Sequence, residues 1–357
     1  MKEFPKRYRI KDIAKLAGVS TGTVDRVLHN RGDVSEASKQ KIKEVLKEID
    51  YHPNIFAGIL ASKKSYHFTC ALPRYGKNEY FESVGEGISK AATEFGDWNI
   101  SIKMNYFDQF DEQAYRKTSE EVLKTNPDAV VLVPIYKDAT VEFADKLNQQ
   151  NIPFVFLDSR IENVNPLAYF GQDSYKSGYL AAKLLIESSD PEKKEIVIFR
   201  IMRTSQNSAN QTIAREKGFL AYLKEHNSDA VIRQLHLYAE DEPENRKLLN
   251  DFFSTYPNVS SGIIFNSRAY LISEYLATHN LPHFSLVGYD LLSRNLIGLK
   301  NSTIRYLIGQ RPEKQGYNAV KALAKHFVLK QEVRAENFMP IDILAKENIE
   351  FFIDFSD

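Results

Sequence analysis

The sequence contains one cysteine, Cys70, and one tryptophan among 357 residues. A single cysteine can form no internal disulfide and cannot supply the several sulfur ligands of a typical structural zinc site. No segment approaches the roughly 20 consecutive apolar residues that a membrane-spanning helix needs. The N-terminal segment is charged and shows no apolar signal region, so we expect a cytoplasmic protein that does not associate with a membrane.

Motifs typical of phosphate binding and of nucleophilic catalysis are also missing. The sequence has no GxxxxGK[ST], no GxGxxG and no GxSxG. Its eight histidines are scattered, without the HExxH spacing of a metal site. These absences predict a protein that is not an enzyme, uses no cofactor and binds no metal ion.

The chain has no net charge, with 47 basic and 47 acidic residues, but the two signs are unevenly distributed. Residues 1–65 contain 14 Lys and Arg against 8 Asp and Glu, whereas residues 66–357 contain 33 against 39. Chance clustering can produce such an imbalance. The alternative is a basic module that binds a polyanion, joined to a mildly acidic body.

The basic segment shows the apolar spacing of three short helices. The first is predicted at Ile10–Leu16, followed by a tight turn at Gly18. Ser20 is placed to cap a second helix at Thr21–His29, and Ser35 can cap a third helix whose apolar residues recur at helical spacing. Two short helices joined by a turn that contains glycine predict a helix-turn-helix unit, whose second helix enters the major groove of DNA.

The outward face of the second helix carries residues that can contact DNA. Arg26 can pair with a guanine edge through two hydrogen bonds, and Thr21 can contact a base or a phosphate. The alternative is that Arg26 is an ordinary solvated helix residue.

The run IKDIAKLAGVSTGTVDRVLHNRGDVSEASKQKIKEVLKEIDYHPN closely resembles the headpiece of the lac-repressor family. The resemblance implies an all-α, DNA-binding headpiece at residues 1–53 and a hinge helix at 54–65. The DNA-binding residues that it implies are Ser20, Thr21, Gly22, Thr23, Asp25, Arg26, Asn54, Ala57 and Leu60. Two residues depart from the family: Asp25 replaces the usual phosphate-contacting Ser, and Gly22 removes one base-reading side chain. Both departures affect which operator is bound, not the binding of DNA itself.

Residues 54–65 correspond to the segment that forms a helix on DNA in this family. Leu60 holds the position of a leucine that enters the minor groove at the operator centre, where an apolar wedge can unstack a base step. Gly58 weakens the helix in isolation, which suits a segment that folds on binding. The alternative is an apolar linker that packs against the body.

From residue 66 onward, apolar strands alternate with helical stretches. Strands are predicted at 68–73, 100–105, 129–134, 154–158 and 168–173, then at 196–201, 232–238, 262–266, 285–290 and 303–308. Intervening helices are predicted at 81–95, 113–124, 141–149, 176–187, 213–225 and 269–278. The alternation predicts a bilobed body with doubly wound parallel α/β sheets. We place lobe 1 at about 66–172 and 309–331, and lobe 2 at about 173–305 and 335–357.

Polar side chains are concentrated where the predicted strands end. Ligands of such sheets bind beyond the carboxyl ends of the strands, and a cleft between two lobes would bring these ends together. Carboxylates, amides and guanidinium groups can bond adjacent hydroxyls, while aromatic rings cover apolar C–H faces. This combination favours a polyhydroxylated ligand, although each residue alone could serve as a cap, a core residue or a surface charge.

The body resembles ribose- and galactose-type periplasmic binding proteins and the matching domain of lac-repressor relatives. The matching pieces are N-x-Y-F at 78–81, F-L-D at 156–158, R-x-x-G-F at 215–219, F-N-S at 265–267, V-G-Y-D at 287–290 and the glutamine of G-Q-R-P at 309–312. The ligand-contacting residues that the resemblance implies are Asn78, Tyr80, Phe81, Asp158, Arg215, Asn266, Asp290 and Gln310. Arg160 and Tyr238 are added on a weaker match of the loops around them.

These patterns predict a DNA-binding transcriptional repressor that binds a pseudo-palindromic operator as a homodimer and responds to a small sugar. Lys346–Asp357 shows no heptad pattern, so we expect a dimer and not a tetramer. Four arginines in loops, Arg74, Arg160, Arg203 and Arg268, leave a sugar acid open as the effector. The alternative function is a solute-binding protein for sugar uptake, which the body favours and the headpiece opposes.

Overall fold

The structure is a computed structural model that describes residues 8–28, 32, 34–49, 51, 64–190, 192, 194–202, 210–226, 228–279, 281 and 283–354. The chain divides into two compact units, Met1–Ser62 and Lys63–Asp357. Among the described residues, no helix combines the length and the apolar composition that crossing a bilayer demands.

The described residues of the first unit form three helices. They are α1 (Ile10–Ala17), α2 (Thr21–Leu28) and α3 (Glu36–Glu48). One side chain from each helix, Ile13, Val24 and Ile42, is fully buried in a shared core. Three amphipathic helices around one small core match the predicted all-α headpiece.

Two local features fix the path between the helices. Gly18 ends α1 with φ 62°, a left-handed conformation that glycine adopts without the penalty of a Cβ atom. The Ser20 hydroxyl oxygen accepts a hydrogen bond from the backbone N–H of Thr23 at 3.1 Å, and Ser35 accepts one from Ser38 at 3.3 Å. Both predicted serine caps are therefore present.

The second unit contains two six-stranded sheets, one in each lobe. The lobe-1 strands are β1 (Tyr66–Pro73), β2 (Ile100–Phe107), β3 (Ala129–Leu132), β4 (Phe154–Asp158), β5 (Ala168–Gly171) and β11 (Glu336–Phe338), in the order β11-β5-β4-β3-β1-β2. All of the lobe-1 pairings are parallel. The lobe-1 helices are α4 (Tyr80–Phe95), α5 (Glu112–Lys124), α6 (Lys137–Gln149) and α12 (Pro312–Leu329).

Lobe 2 repeats this plan. Its strands are β6 (Glu195–Ile201), β7 (Val231–Leu237), β8 (Ser261–Ile264), β9 (Ser285–Tyr289), β10 (Tyr306–Gly309) and β12 (Asp342–Leu344), in the order β12-β10-β9-β8-β6-β7. Its helices are α7 (Ser174–Ser188), α8 (Asn210–Glu225), α9 (Glu242–Thr255), α10 (Ala269–Thr278), α11 (Ser293–Lys300) and α13 (Ile349–Asp354). The edge strand β12 pairs antiparallel with β10, and the other pairings are parallel. The mixed α/β class with two doubly wound lobes is confirmed.

The lobes are joined by three connecting segments, residues 172–173, 310–311 and 339–341. The last of these corrects one predicted boundary. We had placed residues from 335 onward in lobe 2, but Glu336–Phe338 pairs with β5 in the lobe-1 sheet. The chain therefore enters lobe 2 only after Phe338.

Two further differences concern the ends of elements. The strand predicted at 303–308 begins at Tyr306, because the backbone N–H of Thr303 bonds the carbonyl oxygen of Gly298 and so belongs to the end of α11. The helices α9, α11, α12 and α13 were not among those predicted.

One helix pair directly positions a buried side chain. Helices α7 and α8 cross where Gly178 faces the backbone of Arg215 and Gly218 faces the backbone of Tyr175. A Cβ atom at Gly178 would collide with the Arg215 carbonyl oxygen. The close approach that glycine permits therefore fixes the segment of α8 that carries Arg215.

Candidate functional site

The second helix of the headpiece presents a polar face to solvent. Thr21, Gly22 and Arg26 are exposed, while Val24 is fully buried on the opposite side. The Ser20 and Thr23 hydroxyl oxygens lie 2.9 Å apart and take part in the cap of α2. A recognition helix must expose one face in order to contact a DNA groove, and α2 does so.

The remaining DNA-binding residues differ in how far the structure describes them. Asp25 is half-buried on α2. Asn54, Ala57 and Leu60 lie outside the described residues, and so does the hinge segment to which they belong. Their roles stay predictions.

A cavity of about 320 Å³ lies between the two lobes, where strands of both sheets end. Seven predicted ligand-binding residues line it: Asn78, Tyr80, Phe81, Asp158, Arg215, Asn266 and Asp290. The eighth, Gln310, is buried and bonded to Arg215 and Asp290. Strand ends that meet across a cleft are the expected ligand position for sheets of this kind.

The lobe-1 half of the cavity is built around Asp158, which ends β4 and is 2% exposed. Its φ of 65° turns the chain sharply at the strand end. The Tyr80 hydroxyl donates to Asp158 Oδ1 at 2.7 Å, and the Tyr80 and Phe81 rings meet edge to face at 5.1 Å. Burial, followed by the negative charge of Asp158, raises the pKa of Tyr80 well above its usual value, so this hydroxyl keeps its proton.

The lobe-2 half is built around Asp290, which follows β9 and is 5% exposed. It too has a left-handed backbone, with φ 69°. The Gln310 amide nitrogen donates to Asp290 Oδ1 at 2.7 Å. Burial raises the pKa of Asp290 to about 7, and the positive charge of Arg215 and the Gln310 hydrogen bond act in the opposite direction.

Arg215 is among the largest fully buried side chains described, with 0% exposure. Its Nη1 donates to the Phe265 carbonyl oxygen at 2.7 Å, and its Nη2 donates to Gln310 Oε1. Its guanidinium carbon lies 4.1 Å from the centre of the Tyr289 ring. The Nε atom is buried and makes no hydrogen bond with the described residues, which leave this donor in the cavity wall unsatisfied.

The two asparagines lie towards the edge of the cavity. Asn78 is exposed and has a left-handed φ of 62°. Asn266 is half-buried, and its Oδ1 accepts from the backbone N–H of Arg268 at 2.9 Å. The structure therefore gives Asn266 the capping role that we had kept as an alternative, while its side chain still reaches the cavity wall.

Arg160 and Tyr238 do not line the cavity. The Arg160 guanidinium donates to Glu336 Oε1 at 2.7 Å on the surface and lies over the Phe338 ring. Tyr238 is 43% exposed, and the side-chain amide of Asn245 bonds both its backbone N–H and its carbonyl oxygen. The cavity lining includes neither residue, and the ligand-binding roles of Arg160 and Tyr238 stay predictions.

Three arginines that the motifs did not assign to the ligand site also line the cavity: Arg200, Arg268 and Arg294. Arg200 pairs with Glu216, and Arg294 pairs with Glu274 at 2.6 Å. Arg268 lies 3.8 Å from Glu79 of lobe 1, so this pair spans the cleft. Of the other arginines considered, Arg74 is exposed and absent from the cavity lining, and Arg203 lies outside the described residues.

Metal binding finds no support in the part of the chain that the structure describes. No group of three or more His, Cys, Asp and Glu side chains is placed there to hold a metal ion. Cys70 is buried in β1, and burial raises the pKa of its thiol to about 12. A thiol that keeps its proton is a poor nucleophile and a poor metal ligand.

Two family models match the chain. Residues 9–54 match the model described as bacterial regulatory proteins of the lacI family. Residues 70–331 match the model described as a periplasmic binding protein domain. The two matches cover the three-helix unit and most of the two-lobed unit.

Two curated relatives align with most of this chain. A sucrose operon repressor of Staphylococcus xylosus is 26% identical over 275 residues, which are 77% of this chain and 79% of that protein. A ribose operon repressor of Lactococcus lactis is 24% identical over 344 residues, which are 95% of this chain and 97% of that protein.

A solved structure gives a higher identity. A protein from Bacteroides fragilis, described as a LacI transcriptional regulator, superposes with a TM-score of 0.77. It is 42% identical, and the match covers 81% of this chain and 99% of that one. With the helix-turn-helix unit, the two doubly wound lobes and the family matches all in agreement, the chain belongs to the LacI family of transcriptional regulators, with a headpiece of that family and a periplasmic-binding-protein-like body.

Proposed function

We propose that this regulator binds a pseudo-palindromic operator as a homodimer and that a small sugar or sugar acid, bound between the lobes, controls this binding. One observation carries the proposal. In a chain with a LacI-family headpiece, Asp158, Asp290 and Arg215 converge on one cavity between the lobes. A ligand that contacts both lobes favours one arrangement of the body, and that preference is the source of allosteric control.

The chemistry of the cavity supports a polyhydroxylated ligand. Asp158 and Asp290 place their carboxyl groups in the cavity wall, and carboxylate oxygens accept hydrogen bonds from ligand hydroxyls. Arg215 supplies donors, and the Tyr80 and Phe81 rings offer an apolar surface for sugar C–H groups. The names of two relatives, a sucrose and a ribose operon repressor, agree with this ligand class.

The charge of the cavity wall keeps a sugar acid within the proposed class. Lys77 and four arginines line the cavity alongside Glu79, Asp158 and Asp290. Several of these arginines already pair with acidic side chains of the protein. A carboxylate on the ligand would compete for these pairs, which is why neutral and acidic sugars must be tested side by side.

The proposed DNA contacts rest on the exposed face of α2 and on the positive charge of the segment around it. Arg26 and Thr21 are exposed there and can reach base edges and phosphates. Leu60 is proposed as the minor-groove wedge, and a dimer would place one headpiece on each half-site. DNA binding implies action in the cytoplasm, where the genome lies.

Sensing explains the two aspartates better than catalysis does. Both form hydrogen bonds with neutral groups, the Tyr80 hydroxyl and the Gln310 amide. Among the described residues that line the cavity, neither aspartate is hydrogen-bonded to a nucleophile with an activating base, which a hydrolytic or transfer reaction requires. We therefore propose that the protein is not an enzyme.

A solute-binding protein for sugar uptake is the second candidate. The match of residues 70–331 to a periplasmic binding protein domain favours it. The LacI-family headpiece at residues 9–54 opposes it, because a transport receptor has no use for a DNA-binding unit.

Two assays on the full chain test the proposal. In a selection from genomic DNA, the protein should enrich a palindromic site, and its affinity should fall steeply between about 50 and 200 mM salt. Arg26→Ala should weaken binding to that site by about 1–3 kcal/mol and relax specificity at one position in each half-site. Enrichment of no site, or binding that is insensitive to salt, would contradict the proposal.

A further inference from the structure

Gln315 lies in the first turns of α12 and is fully buried. Its side-chain amide nitrogen donates to the Gln310 carbonyl oxygen at 2.9 Å and to the Tyr80 hydroxyl oxygen at 3.2 Å. Its Oε1 is buried and makes no hydrogen bond with any residue that the structure describes. Gln315 does not line the cavity, but it touches two residues that contact the cavity aspartates.

The direction of these hydrogen bonds is set by the groups that can donate but cannot accept. An amide N–H has no lone pair to offer, so the Tyr80 hydroxyl oxygen must accept from Gln315. The single hydroxyl proton of Tyr80 is then free to point at Asp158 Oδ1, 2.7 Å away. Gln315 and Asp158 therefore favour the same arrangement, in which Tyr80 accepts from Gln315 and donates to Asp158.

The same logic applies in lobe 2. The Arg215 guanidinium can only donate, so it fixes the Gln310 amide with Oε1 towards Arg215 and Nε2 towards Asp290. Because Gln315 also donates to the backbone of Gln310, one connected set of hydrogen bonds runs between the two aspartates. It passes through residues 310–311, the segment that joins lobe 2 to lobe 1.

We propose that Gln315 is a positioning residue of the ligand site, an inference that rests on the proposed function. By donating to both Tyr80 and Gln310, it holds the carboxylates of Asp158 and Asp290 in fixed orientations as hydrogen-bond acceptors across the cleft. A ligand hydroxyl then meets acceptors that need no reorganisation, which strengthens binding. Burying Oε1 without a hydrogen bond costs stability, and an apolar side chain of the same length would avoid that cost. The presence of an amide at this position therefore agrees with a role for its donated hydrogen bonds.

The chain offers a matched control in Gln172, at the first connecting segment. It is 1% exposed, and its amide nitrogen donates to two carbonyl oxygens, those of Gly309 and Pro340, both at 3.0 Å. Its Oε1 is also buried and unsatisfied. Gln172 therefore has the burial, the donors and the interlobe location of Gln315, but it does not bond Tyr80 or Gln310.

The test compares Gln315→Met with Gln172→Met in the full chain. The probes are D-ribose, D-galactose, sucrose and D-galacturonate, and the dissociation constant is measured by calorimetry for each probe that binds the wild type. We expect both variants to lower the melting temperature, because each loses two buried hydrogen bonds. Gln315→Met alone should raise the dissociation constant, by about three- to tenfold.

A double-mutant cycle separates positioning from general weakening of the fold. If Gln315 acts largely through the Tyr80 hydroxyl, Gln315→Met should change the dissociation constant less in a Tyr80→Phe background than in the wild type. Gln315→Glu serves if the methionine variant fails to fold, since a glutamic acid offers at most one proton where the amide offers two. It should weaken ligand binding in the same way.

Three results overturn the proposal. The first is an equal rise in the dissociation constant for Gln315→Met and Gln172→Met. The second is full additivity with Tyr80→Phe. The third is that no probe binds the wild type, which contradicts the proposed sugar response as well as the role of Gln315, whereas the first two leave sugar sensing intact.

Discussion

Each half of the cavity holds a buried aspartate through a hydrogen bond, but the donor differs between the two halves. In each lobe a buried aspartate follows a parallel strand, takes a left-handed backbone conformation and accepts a hydrogen bond at 2.7 Å. In lobe 1 the donor is the Tyr80 hydroxyl, and aromatic rings surround it. In lobe 2 the donor is the Gln310 amide, which is itself bonded to the buried guanidinium of Arg215.

From this difference we expect the two lobes to contribute unequally to ligand binding. Lobe 1 offers an acceptor beside an apolar, aromatic surface. Lobe 2 offers an acceptor together with a buried cationic donor, and charge-assisted hydrogen bonds are about twice as strong as neutral ones. We therefore expect lobe 2 to supply most of the polar binding energy and lobe 1 to supply shape and apolar contact.

The largest effect is expected from Arg215→Met. The substitution removes the buried donors and leaves Asp290 without its nearby positive charge. Hydrogen bonds to charged groups contribute about 1.5–3 kcal/mol each, so the dissociation constant for the ligand should rise ten- to a hundredfold or more. Arg294→Met is the control, because Arg294 lies at the cavity edge, partly exposed and paired with Glu274. If the dissociation constant for the ligand rises by a similar factor in the two variants, lobe 2 does not supply most of the polar binding energy through Arg215.

A smaller effect is expected when each aspartate is replaced by asparagine, which keeps the shape but removes the charge. Asp290→Asn should weaken ligand binding more than Asp158→Asn, because Asp290 is coupled to the buried cation of Arg215 through Gln310. Isothermal titration with the same sugar gives both dissociation constants. The reverse order would show that the lobe-1 carboxylate dominates.

The pH dependence of the free energy of unfolding tests the environment of one group in lobe 2, the Asp290 carboxyl. Burial raises the pKa of Asp290 from 3.8 to about 7, so the folded state holds a proton that the unfolded state has lost. This contribution to stability is complete below about pH 4 and is lost as the pH rises through about 7. Over that window, the free energy of unfolding should fall by at most about 1.4 kcal/mol per pH unit on account of this group.

Urea unfolding of the wild type and of Asp290→Asn between pH 5 and 8 measures this contribution. The wild type should lose stability relative to the variant as the pH rises. Parallel curves for the two proteins would show that Asp290 does not hold an extra proton in the folded state.

The smallest effect is expected from Arg160→Ala. Arg160 is 53% exposed in its side chain and pairs with Glu336 outside the cavity. Exposed ion pairs contribute about 0–1 kcal/mol, so stability should change little and the dissociation constant for the ligand should not change. A clear loss of ligand binding would restore Arg160 to the site.

The sequence predicted those parts of the fold and of the site for which a local sequence pattern specifies the local structure. The headpiece helices follow from serine caps, Gly18 and apolar spacing, and the aspartates of the site follow from strand ends with short family motifs. Arg160 follows a strand end without lining the cavity, because a residue at that place can point to either side and the sequence does not choose the side; its role stays a prediction. Gln315 was missed because its role depends on Tyr80, 235 residues earlier in the chain, and no local pattern records such a contact.

The central claim is that occupation of the cleft changes DNA binding. The direct test is fluorescence anisotropy of the full chain on its selected operator, titrated with the sugar that most raises the melting temperature of the wild type. The account predicts that this sugar changes operator affinity by at least about fivefold, and that it changes the affinity of Arg215→Met for the operator much less at the same concentration. An operator affinity that stays constant while the sugar saturates the wild-type protein would contradict it.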